Sequence, residues 1–60
     1  MLAVGLGEDK ILPHVERVKR GRLTVACINS PESTTISGDE AAIDELRDTL
    51  ESLSIFNRKL

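Results

Sequence analysis

Few side chains in this 60-residue chain can carry chemistry, and their spacing limits how far each can act. His14 is its one imidazole and Cys27 its one thiol. Nucleophilic catalysis needs a base within hydrogen-bond reach of a Ser, Cys or Thr, with a third group to orient that base. The run Ile11-Leu12-Pro13-His14-Val15-Glu16 offers no nucleophile, so His14 reads as a surface residue. Cys27 sits in an apolar run with no cation beside it to favour a thiolate, and reads as a small buried hydrophobe. Gly5-Leu6-Gly7 lacks the third glycine and the Lys-Ser/Thr ending of a phosphate loop, and reads as a turn. Asn29-Ser30-Pro31 is no glycosylation sequon, because Pro31 stands where Ser or Thr is needed. Two readings of it stay open. Asn29 caps a turn that Pro31 fixes, or its amide reaches from a strand's carboxyl end into a cleft beside a sheet.

Composition narrows the function classes. Eight Lys and Arg against ten Asp and Glu give a formal net charge of −2, and Phe56 is the sole aromatic residue. Nucleic acid is therefore not an expected partner, since neither net positive charge nor a stacking platform is present. The cluster Arg17, Lys19, Arg20, Arg22 reads as a solvated face complementing a helix dipole. One Cys closes neither an intrachain disulfide nor a Cys-based metal cluster, so no metal site is expected and a reducing, cytoplasmic setting fits. No apolar run is long enough to cross a bilayer, and the first residues lack a signal-peptide pattern, so no membrane partner is expected.

The elements that position these residues follow from periodicity. Leu2, Val4 and Leu6 alternate with Ala3 and Gly5, as in a strand with one large-residue and one small-residue face. From Glu8 to about Lys19 acids come first, bases come last, and Ile11, Val15 and Val18 recur at helical spacing. Pro13 is expected either to separate an irregular first turn or to open the regular helix itself, and Gly21 to end it in the left-handed conformation. Leu23 to Ile28 is the strongest strand signal, with Leu23, Val25 and Cys27 on one face, Thr24, Ala26 and Ile28 on the other, and both faces partly covered. Asn29 to Ser33 is rich in turn formers, and Thr34-Thr35-Ile36 supplies the second strand of an antiparallel hairpin. Ser37 with Glu40, or Asp39, starts a second helix whose apolar stripe is Ile43, Leu46, Leu50 and Leu53. Ile55 to Leu60 is a short strand-compatible run. The order predicts an α+β fold: a ferredoxin-like βαββαβ sandwich, a four-stranded antiparallel sheet with two helices on one face. The uncovered face is expected to be small and moderately apolar, as if it met a larger body, and the isolated chain to self-associate.

On these residues a resemblance appears. Met1-Leu-Ala-Val-Gly-Leu6, the run from Val25 to Leu46 with Cys27-x-Asn29-Ser30-Pro31 and Ile36-Ser37-Gly38, and Ile55 to Leu60 resemble the small ferredoxin-like subdomain of the acyltransferase family. That family includes the malonyl-CoA:acyl-carrier-protein transacylases and the acyltransferase domains of polyketide and animal fatty acid synthases. The tone is most similar to type I polyketide synthases, fungal reducing ones among them. The resemblance implies that residues 1–60 form one subdomain of a larger acyltransferase domain. It implies that the nucleophilic Ser in a Gly-His-Ser-x-Gly elbow, the Arg for a malonyl carboxylate and the catalytic His in a Tyr-His-Ser-type motif lie outside these residues; His14 does not match that motif.

The implied partners are a large α/β-hydrolase-like subdomain of the same parent chain and the acyl carrier protein. The implied chemistry uses acyl-CoA and a phosphopantetheine-bearing carrier, with no cofactor held by residues 1–60. Asn29 and Ser30 are then the substrate-cleft candidates, and Arg58 and Lys59 the candidates facing carrier protein or CoA phosphates. Two other classes share the topology. A free-standing regulatory or ligand-binding module is one. A small acylphosphatase-type enzyme is the other, but it needs an Arg in an anion loop that Gly5-Leu6-Gly7-Glu8-Asp9-Lys10 lacks.

Overall fold

A computed structural model describes residues 1–60. Its elements run β1 (Leu2–Val4), α1 (Glu8–Arg17), β2 (Leu23–Ser30), β3 (Ser33–Gly38), α2 (Glu40–Ser52) and β4 (Asn57–Lys59). The sheet order is β2-β3-β1-β4, and every neighbouring pair is antiparallel. This is the split βαβ arrangement expected from the element order. Each helix returns the chain to a strand parallel to the one it left, which forces the crossovers over one face.

That face holds the core: Leu2, Val4 and Ile36 from the central strands, Ile11 from α1, and Ile43, Leu46 and Leu50 from α2. Leu6, Val15, Val18, Leu23, Val25 and Ile55 pack around it. Thr34 is also fully buried there, and its hydroxyl donates to the Leu6 carbonyl at 3.1 Å, which satisfies a polar group inside an apolar layer. No helix is long and apolar enough to cross a membrane.

Several local expectations need correction. Helix α1 runs unbroken through Pro13. Pro13 removes one amide donor, but Pro13 and Asp9, whose carbonyl loses its partner, are both exposed, so that carbonyl is not buried unsatisfied. Gly21 does not end α1. The helix caps at Val18 with φ −69° and ψ 131°, and Gly21 instead gives room to Asp39, whose Oδ2 would lie 2.6 Å from a Cβ placed there.

Neither proposed cap of α2 forms. Asp39 is the N-cap residue, yet its carboxylate accepts from the Arg22 amide at 3.0 Å rather than from the helix. Leu53 leaves the apolar stripe because α2 ends there, and Ala42 completes the stripe instead. The end of α2 is a Schellman motif: Ile55 N–H donates to the Leu50 carbonyl at 2.8 Å, Ser54 N–H to the Glu51 carbonyl at 3.1 Å, and Ser54 has φ 58°.

The largest departure is in β2. It is an edge strand, exposed apart from half-buried Leu23 and Val25, so its two faces are not both covered. Val25 pairs with Ile36, but the next partner of Thr35 is Cys27, which leaves Ala26 as an extra residue in a β-bulge. The bulge reverses the side-chain phase. Cys27 joins Thr35 and Ala3 on the open face and is exposed, so it is not the buried hydrophobe its apolar neighbours suggested.

Candidate functional site

The bulge also sets where Asn29 goes. Counted in strict alternation from Leu23 and Val25, position 29 belongs to the helix-covered face. After the bulge it belongs to the open one, and a second register shift between Ile28 and Ser30 makes Asn29 itself an extra residue. Its Nδ2 donates to Thr35 Oγ1 at 3.0 Å, fixing the amide over the open face. Thr35 is only 7% exposed although it lies on that face, and its β-branched neighbours gave no sign of this role in the sequence. The Asn29 amide oxygen accepts no protein hydrogen bond and the residue is exposed, which leaves an oriented acceptor facing outward.

Ser30, not Asn29, caps the turn. Its Oγ accepts from the Glu32 amide at 3.3 Å, and Ser30 pairs with Ser33 around Pro31 and Glu32. The tip of this hairpin rests against the segment that follows β1. A Cβ on Gly7 would lie 2.1 Å from the Pro31 carbonyl oxygen, so only glycine permits this approach. Gly7 also accepts from the Lys10 and Ile11 amides at the start of α1. Gly5-Leu6-Gly7 is thus the turn expected, and it forms one side of a groove of about 350 Å³. Asp9, Lys10, Pro31 and Glu32 complete the groove.

Arg58 and Lys59 separate. Arg58 pairs with Ala3 and shares the open face with Thr35 and Cys27, with β1 and β3 between it and β2. Lys59 pairs with Leu2 on the helix-covered face, and its Nζ donates to Asp44 Oδ1 at 3.1 Å and lies 3.8 Å from Glu40 Oε1. The open face carries Ala3, Thr24, Cys27, Asn29, Thr35, Ser37 and Arg58, and the same alternation adds exposed Met1, Phe56 and Leu60 at its β1–β4 end, so it mixes small polar residues with apolar ones. His14 lies elsewhere, in a groove of about 400 Å³ between the helices with Arg17, Asp48, Thr49, Ser52 and Leu53, and its Nδ1 has no partner. His14 and Cys27 do not meet: His14 lies between the helices and Cys27 on the open sheet face.

Known proteins place this geometry. No family model matches the chain. Over all 60 residues it is 58% identical to the highly reducing polyketide synthase SAT13 of Stachybotrys chartarum. Over 62 aligned residues it is 55% identical to the highly reducing polyketide synthase sdnO of Sordaria araneosa. In both cases the match covers the whole chain but 2% of the relative. Its fold matches the crystal structure of the acyl transferase domain of SpnD in complex with 2-(pent-4-yn-1-yl)malonyl, with a TM-score of 0.83 and 32% identity. That match covers 98% of this chain and 14% of SpnD's. The chain is similar over its whole length to one segment of fungal highly reducing polyketide synthases, and its fold to one part of an acyl transferase domain. The chain thus corresponds to a small part of much longer proteins.

Proposed function

We propose that the chain is the small subdomain of an acyltransferase that moves malonyl-type or other acyl units from CoA to an acyl carrier protein in polyketide or fatty acid biosynthesis. It forms one wall of the active-site cleft and is inactive alone. The observation that carries this reading is the whole-chain match, in sequence and in fold, to one segment of a polyketide synthase acyltransferase domain.

In this reading the chemistry is a two-step transfer. A Ser outside these residues, activated by a His also outside them, attacks the CoA thioester and releases the CoA thiol. The phosphopantetheine thiol of the carrier then attacks the acyl-enzyme, and the serine hydroxyl is restored. The part of this chain is positional. Asn29, held over the open sheet face by Thr35, presents its free amide oxygen at the cleft edge beside Ser30, and this open face meets the large α/β-hydrolase-like subdomain. Arg58, on the same face, meets CoA phosphates or the acidic carrier, while Lys59 is already engaged with Asp44 and Glu40 and contributes less.

The test is acyl loading by the full native protein carrying this chain. Asn29→Ala is expected to lower kcat/KM for transfer from malonyl-CoA to the carrier by about tenfold, in line with the loss of one hydrogen bond made in the transition state. Its unfolding midpoint should change little, because Asn29 is exposed. Loading equal to the native rate would remove Asn29 from the site and leave the hairpin a structural turn.

A further inference from the structure

Arg17, Lys19, Arg20 and Arg22 form the densest run of cations in the chain, and all four are exposed. The helix dipole accounts for Arg17 alone. Helix α1 ends at Arg17 and caps at Val18, and a dipole acts only within the last turn, so Lys19, Arg20 and Arg22 lie beyond its reach. Ion pairing does not account for them either, because all three ion pairs in the chain use Arg47 or Lys59.

The acidic side chains nearest this segment hold its backbone instead of its charges. Both Glu45 carboxylate oxygens accept from the Lys19 amide at 3.3 Å, and Oε1 also accepts from the Arg20 amide at 3.2 Å. Asp39 Oδ2 accepts from the Arg22 amide at 3.0 Å, and the Asp39 amide donates to the Arg22 carbonyl at 3.0 Å. The connection between α1 and β2 is thus pinned from within, and its cationic heads are left in solvent. A backbone fixed before binding loses less entropy when a partner arrives.

We propose that Arg17, Lys19, Arg20 and Arg22 form a docking surface for an acidic protein surface. It is separate from the hairpin site: the patch lies at the start of β2 and Asn29 near its end, roughly 20 Å away at strand rise. The proposal does not rest on the acyl-transfer reading. Three of the four cations are arginines, whose planar forks match carboxylates in bidentate pairs. Nucleic acid fits less well. Phe56, the sole aromatic ring, sits at the far end of the sheet beside Gly5, so no stacking platform adjoins the patch.

The test is hydrogen–deuterium exchange on the full native protein carrying this chain, titrated with poly-L-glutamate at low salt. Protection is expected in peptides spanning residues 17–23 and not in those spanning 29–34. Arg20→Glu should raise the concentration giving half-maximal protection about fivefold, and Arg20→Gln should raise it by less in the same direction. Lys10→Glu makes the same charge change at the other end of the sheet, on an exposed residue without an ion pair, and should leave it within about twofold. No protection at 17–23, or equal shifts for Arg20→Glu and Lys10→Glu, would overturn the proposal. Protection by oligo(dT) at the same or lower concentration would overturn it too, and assign the patch to nucleic acid.

Discussion

Gly7 shows how one missing side chain sets the geometry of the hairpin site. It is buried, and an added Cβ would meet the Pro31 carbonyl at 2.1 Å, a backbone atom that cannot swing aside. Gly5 has a looser neighbour, since its Cβ would lie 3.1 Å from Phe56 Cβ, a contact that a small adjustment of the two paired strands relieves. Gly7→Ala is therefore expected to destabilise the fold by about 2 kcal/mol or more, because the hairpin tip must move as a unit. Gly5→Ala should cost less than about 1 kcal/mol. Urea unfolding of the two variants beside the native protein decides it, and equal losses would mean that the hairpin tip yields freely. The same contact explains why Gly5-Leu6-Gly7 looks like part of a phosphate loop: both motifs use glycine for close backbone approach, here to another strand's turn rather than to a phosphate.

At the scale of elements, the end of α2 carries strain that a single substitution should release. Ser54 occupies the left-handed position of the Schellman motif, where a Cβ is crowded and glycine is not. Ser54→Gly is expected to raise stability by about 0.5–1 kcal/mol, seen as a higher thermal midpoint; a lower midpoint would mean that the backbone entropy of glycine outweighs the relief. This motif was hard to read because the usual glycine signal is absent, and Leu53, at helical spacing from Leu50, looked like one more turn of apolar stripe. Element type and order were legible from periodicity, and so was the topology, since short connections and right-handed crossovers leave few alternatives. The face of each residue in β2 was not. Alternation assumes one residue per step, and nothing about Ala26 distinguishes a bulged residue from a paired one. Cys27 and Asn29 changed faces together as a result. Asn29 was legible as a candidate from its type and place, but Thr35, which orients it, and the opposite facing of Arg58 and Lys59 depend on cross-strand register that only tertiary pairing fixes.

At the scale of the whole molecule, the core is too small to hold the chain firmly by itself. Seven apolar residues form it, and α1 contributes only Ile11 in fully buried form. One sheet face carries no covering layer, while Phe56, Leu60, Ile28, Met1 and Leu53 each stay more than half exposed. A single core in a domain of this length rarely supplies more than about 3–5 kcal/mol, and the lone Cys27 closes no intrachain disulfide to reinforce it. Residues 1–60 alone are therefore expected to unfold at modest urea with a stability of about 3 kcal/mol or less, and to self-associate at high concentration through the exposed apolar side chains. Circular dichroism in urea gives the first quantity and sedimentation velocity across a concentration series the second. A monomer at all concentrations that resists several molar urea would show that this fold needs no larger body against its open face. Low stability together with association would instead fit a sheet whose open face, with Asn29, Arg58 and exposed Met1, Phe56 and Leu60 on it, is completed by the rest of a longer protein.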